Sequence, residues 1–421
     1  MNKNTKLTPL EKSWILYDIG NSAFILLLTA LLPIYFGVLA DAAGVDENLR
    51  LSFRSYAESV STIIVAIIAP ICGAIADRKN HKKPIFIASL ILGIAGCTVL
   101  GFANHWLLFL VIFVIAKVGY SASIVFYDSM LLEVTTEKRM DNISSMGYAY
   151  GYIGSVIPFV VCVVLYIFME VETSMIAVFL LTAIWWIACS VPLIKRYKQT
   201  AYVEHSGNAI SDTFKQLFNT FRNAKKEKGI FMYLIAFFFF INGVYTIIGM
   251  ATDYGLALGL DSTGLLLALL VTQIVAFPCA IIFGKLSAKY ESGKLIKVCI
   301  ICYTCITLFA MTLMTLWQFW LLAVLVGMFQ GAIQALSRSY LGKIIPAEQS
   351  GEYFGLMDIC GKGAAFLGTT VVGVVSHLTI GVTVNICGLE LQNENLAVGT
   401  LVILFIVGFI LFCKADRMNR Q

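Results

Sequence analysis

Charge is scarce in this chain. Only 13% of its 421 residues are Asp, Glu, Lys or Arg, against 59% that are hydrophobic, and a mean hydropathy of +0.84 excludes a water-soluble globule. Histidine is scarcer still: His81, His105, His205 and His377 are scattered with no i,i+4 pair, so no helix offers a two-histidine metal face. There is no Gly-x-Ser-x-Gly elbow, and the nearest approach to a phosphate loop, "GLMDICGKG", carries Gly363 where Ser or Thr is required and lies in an apolar run. These absences argue against an enzyme and against ATP-driven pumping, and no cofactor or metal is expected.

What is present is oil in long runs. Twelve apolar segments stand at 14–40, 57–76, 84–103, 106–131, 145–169, 174–194, 230–253, 263–284, 295–315, 317–341, 353–379 and 397–413. Backbone groups in lipid must bond within their own segment or in a closed barrel, and these runs lack two-residue alternation. The expected fold is an all-α membrane protein of twelve transmembrane helices. Ten of the eleven cysteines lie in or beside apolar runs, Cys387 being in a loop, so they read as small buried hydrophobes; the spacing of Cys299, Cys302 and Cys305 suits zinc, but an apolar helix supplies no polar support for thiolates.

The basic residues are lopsided. With the N-terminus in the cytosol, 26 of the 30 Lys and Arg fall in cytoplasmic segments; Arg50 and Arg54 are external, and Lys117 and Lys362 lie within spans. The positive-inside rule then puts both termini in the cytosol. The net charge of +5 follows from topology and contact with anionic lipid, with no nucleic-acid footprint. The segment 195–229 divides the chain into a six-helix bundle at 1–194 and another at 230–421, and its apolar residues Ile210, Phe214, Leu217, Phe218 and Phe221 recur at helical spacing, as in a helix lying on the inner membrane surface.

The halves echo each other. "GAIADRKNHKK" at Gly73 matches "GKLSAKYESGK" at Gly284, Gly119 matches Gly331, and Gly147 matches Gly355, at offsets of 211, 212 and 208. Three landmarks at nearly one offset point to two six-helix pseudo-repeats. The first landmark resembles the loop between the second and third helices of the major facilitator superfamily, with Gly73, Asp77, Arg78, Lys82 and Lys83 in place and no glycine after the arginine, which implies a looser turn. "WILYDIGNSAF", "VFYDSML", "ISSMGYAYGYIGS", "QALSRSYLGKIIP" and "GEYFGLMDICGKGAAFLG" resemble one branch of it, the unknown major facilitator family, which includes autophagy-related vacuolar amino-acid effluxers. The chain departs from that branch at Asn242-Gly243, where Asp-Gly is expected, and at Thr369, where proline is usual.

The resemblance implies a cytoplasmic gate built on the charged loop. Asp77 can face the positive N-terminus of a neighbouring helix, the eleventh span starting near Tyr353 on the same side. Arg78 can pair with Asp128 or Glu133, and Arg338 is placed with the same gate. The lysines of the loop read better as anchors on anionic lipid.

Ionisable groups inside the bilayer are functional candidates by default. Lys117 and Lys362 stand near mid-span, and Asp358 precedes Lys362 by one helical turn, a geometry for an ion pair. Lys117 has no acid nearby in sequence; two readings remain, a structural partner on another helix or a substrate-anion or coupling role. Asp18, with the helix starting near Trp14, either favours its helix N-terminus or serves coupling or gating. Superfamily members line their cavity with the first, fourth, seventh and tenth helices, which places Asn21, Asn242, Tyr245, Gln330 and Gln334 as further candidates, helix packing being their alternative role. The resulting expectation is a secondary transporter, bacterial and monomeric, moving a small polar or zwitterionic solute such as an amino acid by alternating access with protons as a coupling ion. The alternatives are a membrane ligand sensor that does not transport and a lipid-handling transporter.

Overall fold

The first helix begins earlier than its hydropathy suggests, because Thr8 and Glu11 form a capping box. Thr8 Oγ1 accepts from Glu11 N at 3.1 Å, Glu11 Oε2 accepts from Thr8 N at 2.8 Å, and Pro9 opens the helix. In the structure, a computed structural model, the described residues are 6–204, 227–379, 384–386, 389–391 and 393–420. Helix α1 runs Pro9–Ala30 and breaks at Leu31 before α2, Leu32–Ala42. A single span over 14–40 was expected; Pro33 has no N–H to close onto Thr29, so the helix restarts there.

The following helices are α3 (Glu47–Ala76), α4 (Lys82–Leu100), α5 (Trp106–Ser129), the short α6 (Leu131–Val134), α7 (Glu137–Phe168) and α8 (Val171–Arg196). Then come α9 (Lys228–Ala257), α10 (Ser262–Leu286), α11 (Ser292–Ala310), α12 (Leu316–Ile344), α13 (Ser350–Leu378) and α14 (Asn393–Met418). Twelve of them are long and apolar enough to cross a membrane. Between α13 and α14 a two-stranded hairpin pairs β1 (Val384–Ile386) antiparallel with β2 (Leu389–Leu391). Cys387 and most of the helix expected within 195–229 lie outside the described residues.

The chain divides into two compact units. The first comprises Met1–Ile143, Tyr150–Leu217 and Pro346–Gly355; the second comprises Ser144–Ala149, Phe218–Ile345 and Leu356–Gln421. Aromatic side chains fill the first around Trp14, Tyr17, Phe24, Phe86, Tyr127 and Trp186, and the second around Tyr233, Phe240, Tyr303, Phe405 and Phe412, all buried. Trp14 stacks on Tyr127 at 4.3 Å between ring centroids, and Tyr303 on Phe405 at 5.6 Å.

Candidate functional site

Among the described residues, two ion pairs stand near mid-span, one in each unit. In the first, Lys117 of α5 meets Glu58 of α3 with Nζ to Oε1 at 2.7 Å. In the second, Lys362 meets Asp358 at 2.5 Å, one turn apart on α13. Which faces carry them is readable from the exposed apolar side chains. On α3, Tyr56, Val60, Ile63 and Ile67 are exposed; on α5, Leu108, Val111 and Ile115; on α13, Leu367, Val371 and Val374. Ile67 follows Glu58, Lys117 follows Leu108 and Val371 follows Lys362 by nine positions each, which at ~100° per residue is about half a turn. Both pairs therefore point away from the stripes that suit acyl chains. They are nonetheless accessible in part, Glu58 at 47% and Lys117 at 16%, Lys362 at 23% and Asp358 at 17%.

Depth agrees too. The Lys117 Cα lies twelve positions before Ser129, and the Lys362 Cα twelve positions after Ser350, so each stands ~18 Å from the same type of helix end, the one that joins the basic loops. Glu58 was not foreseen from the sequence. The available signal was that it is the single acid between Ser52 and Ala76.

Asp18 lies well inside α1. With the helix starting at Pro9 it stands ~14 Å from the first residue, which removes the N-terminal role allowed for it. It accepts from Tyr127 Oη at 3.0 Å and sits 3.4 Å from Asn21 Nδ2, while Tyr17 Oη donates to Ser123 at 2.8 Å and Trp14 Nε1 to the Tyr127 carbonyl at 3.0 Å. Asp18 and Asn21 thus belong to a buried α1–α5 network. In the second unit Thr246 Oγ1 donates to Asn242 Oδ1 at 3.2 Å, both side chains closing on the α13 backbone at Gly368, and Tyr245 lies by Gly361. Gln334 Nε2 donates to the Gln330 carbonyl at 3.1 Å, an intrahelical bond.

The charged loop after α3 is the most elaborate polar site. Asp77 Oδ1 accepts from Gly351 N at 2.8 Å and Oδ2 from Glu352 N at 2.9 Å, the orphan donors that open α13. Backbones approach closely there: a Cβ on Gly73 or on Gly351 would collide with the other's main chain. Asn80 adopts φ +63°, and His81 N donates to the Arg78 carbonyl at 3.2 Å. The turn is therefore tight, contrary to expectation, because asparagine tolerates the left-handed region nearly as glycine does.

Lys82 also departs from expectation. Its side chain is 0% exposed, and Nζ lies 3.0 Å from Glu133, 3.5 Å from Asp77 and 2.8 Å from Ser350 Oγ. It is the cation on Glu133, the place considered for Arg78, and it is no lipid anchor: two acids at the helix ends draw it inward. Burial pushes Asp77 up to about 6 despite Lys82 and the two N–H donors. Burial acts the same way on Glu133, but Lys82 together with Thr200 N–H, Tyr197 and Ala201 N–H outweighs it and holds that carboxyl below its ordinary value. Arg338, in the second unit, donates from Nε and Nη2 to Ser144 Oγ and O, both at 2.9 Å, and stands 4.5 Å from the Tyr148 ring. No cluster of three or more His, Cys, Asp or Glu suited to a metal occurs among the described residues.

The family described as "Vacuole effluxer Atg22 like" matches residues 10–420. The "Uncharacterized MFS-type transporter YxiO" of Bacillus subtilis (strain 168) is 37% identical over 416 residues, 96% of this chain and 94% of that one. "Autophagy-related protein 22-1" of Aspergillus fumigatus is 23% identical over 287 residues, 61% of this chain and 47% of its own length. Among solved structures, the human organic anion transporter MFSD10 (TETRAN) superposes with a TM-score of 0.71 at 12% identity, covering 96% of this chain and 100% of that one. FucP, a major facilitator transporter in the outward conformation, gives 0.71 at 16% identity, covering 97% and 98%.

Proposed function

Because the chain belongs to the Atg22-like vacuole effluxer family of major facilitator transporters, we propose that it carries a small zwitterionic solute, an amino acid by class, across a bacterial cell membrane as a monomer. The observation that carries this reading is the pair of partly accessible ion pairs on faces turned from lipid, Glu58 with Lys117 and Asp358 with Lys362. A lone buried cation would select an anion. A cation beside a carboxylate offers both charges, so a solute bearing an ammonium and a carboxylate replaces each ion with its like and leaves no charge uncompensated. Autophagy-related relatives are effluxers by family description, and amino acids satisfy the same charge pattern.

In this reading the segments 1–194 and 230–421 are the two halves of an alternating-access transporter, joined by 195–229, with both termini in the cytosol, a placement that the distribution of basic residues supports. The closed state of the cytoplasmic end is held by Asp77 on the N-terminus of α13, with Lys82 and Glu133 behind it. Asp18, buried in α1 and accepting from Tyr127 Oη, is the group we assign to proton coupling.

The test is flux from proteoliposomes loaded with a pool of amino acids, together with leucinamide and 4-methylvalerate as cation-only and anion-only analogues, beside an internal pH dye. Zwitterion flux that falls in Lys117→Gln is expected. Equal flux in that variant, or preference for the anion, would overturn the proposal, and saturable binding without flux would favour the sensor.

A further inference from the structure

Past the end of α8 the chain runs on outside any helix from Tyr197 to Val203, where Val203 bridges Arg78, and its polar groups are committed to the charged loop. Gln199 bridges two helix ends. Its Nε2 donates to the Ala76 carbonyl at 3.0 Å, at the end of α3, and its Oε1 accepts from Lys82 N at 3.2 Å, at the start of α4. The residue before α4, His81, makes no side-chain cap of its own, so one amide satisfies orphan groups at both ends of the turn. Val203 N then donates to the Asp77 carbonyl at 2.8 Å.

The same stretch envelops Glu133. Thr200 N at 2.5 Å, Thr200 Oγ1 at 3.0 Å and Ala201 N at 3.1 Å all donate to Oε2, and Tyr197 Oη donates to Oε1 at 2.7 Å. Glu133 in turn holds Lys82, and Lys82 reaches Asp77 and Ser350. A chain of contacts thus leads from the Tyr197–Val203 stretch through Glu133 and Lys82 to the N-terminus of α13, all within the first unit.

We infer that Tyr197–Val203 is a strap that sets how firmly Asp77 and Lys82 hold α13, so that the stretch joining the two halves of the chain controls release of this end. The strap acts on the contacts around Asp77 whether or not the chain carries a zwitterion, so it stands apart from the solute reading; it rests only on Asp77 holding α13. A strap that merely finished two helix ends would leave α13 indifferent to its loss.

Backbone amide exchange of the full-length protein in nanodiscs, followed by mass spectrometry, separates these cases. Gln199→Ala removes the double cap, and Thr200→Pro deletes the shortest donor to Glu133. Exchange at least tenfold faster at both 76–84 and 350–354, with 106–125 unchanged, is expected from each. Acceleration confined to 76–84, or none at either segment, overturns the strap. Asp77→Asn probes the hold on α13 directly: if it also leaves 350–354 unchanged, that hold itself is wrong, whereas acceleration in Asp77→Asn alone condemns only the strap. Should Thr200→Pro not fold, Thr200→Ala, which keeps the N–H and loses the hydroxyl, decides together with Gln199→Ala.

Discussion

Glu58 and Lys117 meet at 2.7 Å across α3 and α5 although 59 positions separate them in the chain. With Glu58 nearly half exposed, the pair adds little to stability, about 1 kcal/mol or less, which makes it a clean probe of transport. Glu58→Gln and Lys117→Gln are each expected to cut amino-acid flux at least tenfold. The double substitution should melt like the parent yet remain inactive. A double variant that transports would show that the charges serve packing alone.

How much of this was legible in advance depended on whether the signal was local. The twelve spans follow from run length alone, and Asp358 with Lys362 follows from one-turn spacing on a helix. Glu58 and Lys117 did not, because a contact between helices leaves no trace in sequence spacing. Hydropathy puts the start of α1 five positions late, although "TPLE" carries a capping box, and equal oiliness on both sides of Pro33 hides the break at Leu31. Lys82 departs from expectation for a deeper reason: a lysine at the end of a span looks the same in sequence whether it reaches outward to lipid or inward to two acids, and burial alone decides which.

That burial separates the lysines of the loop. Lys82→Met leaves Asp77 and Glu133 as buried carboxylates without their cation, a loss of about 3–5 kcal/mol at neutral pH. Lys79 is exposed, 5.3 Å from the Tyr202 ring, so Lys79→Met should change stability by no more than ~0.5 kcal/mol. Detergent-solubilised melting curves of the two variants check the contrast; similar shifts for both would contradict the buried placement of Lys82.

The close approach of Gly73 and Gly351 yields a steric test. Alanine at either position puts a Cβ against main-chain atoms that have no rotamer by which to yield, so a cost of about 1–3 kcal/mol is expected. Gly373 of α13 has open space around its Cβ position, and Gly373→Ala should be neutral or stabilising by up to ~1 kcal/mol through helix propensity. A lowered melting midpoint in Gly351→Ala but not in Gly373→Ala is the expected pattern; tolerance of both would mean that the α3 and α13 backbones do not touch.

Asp77 and Glu133 share Lys82 but respond to acid in opposite senses. Burial raises Asp77 to about 6 from the 3.8 of the free side chain, so between those values the folded protein keeps a proton that the unfolded chain has released. Its contribution to stability therefore grows as pH falls through 6 toward 4 and is lost as pH rises, by on the order of 1–3 kcal/mol. Glu133 is held below its ordinary 4.5; what it contributes is present above that value and disappears only as pH drops through its lower folded pKa. In the window from 6 to 4 the Asp77 effect thus acts almost alone among these two. Asp77→Asn removes it, and the difference in melting midpoint between parent and variant is expected to widen in the parent's favour as the buffer is taken from pH 7 to pH 4.5. A difference that stays constant across that range would show that Asp77 titrates in the folded protein as it does in water.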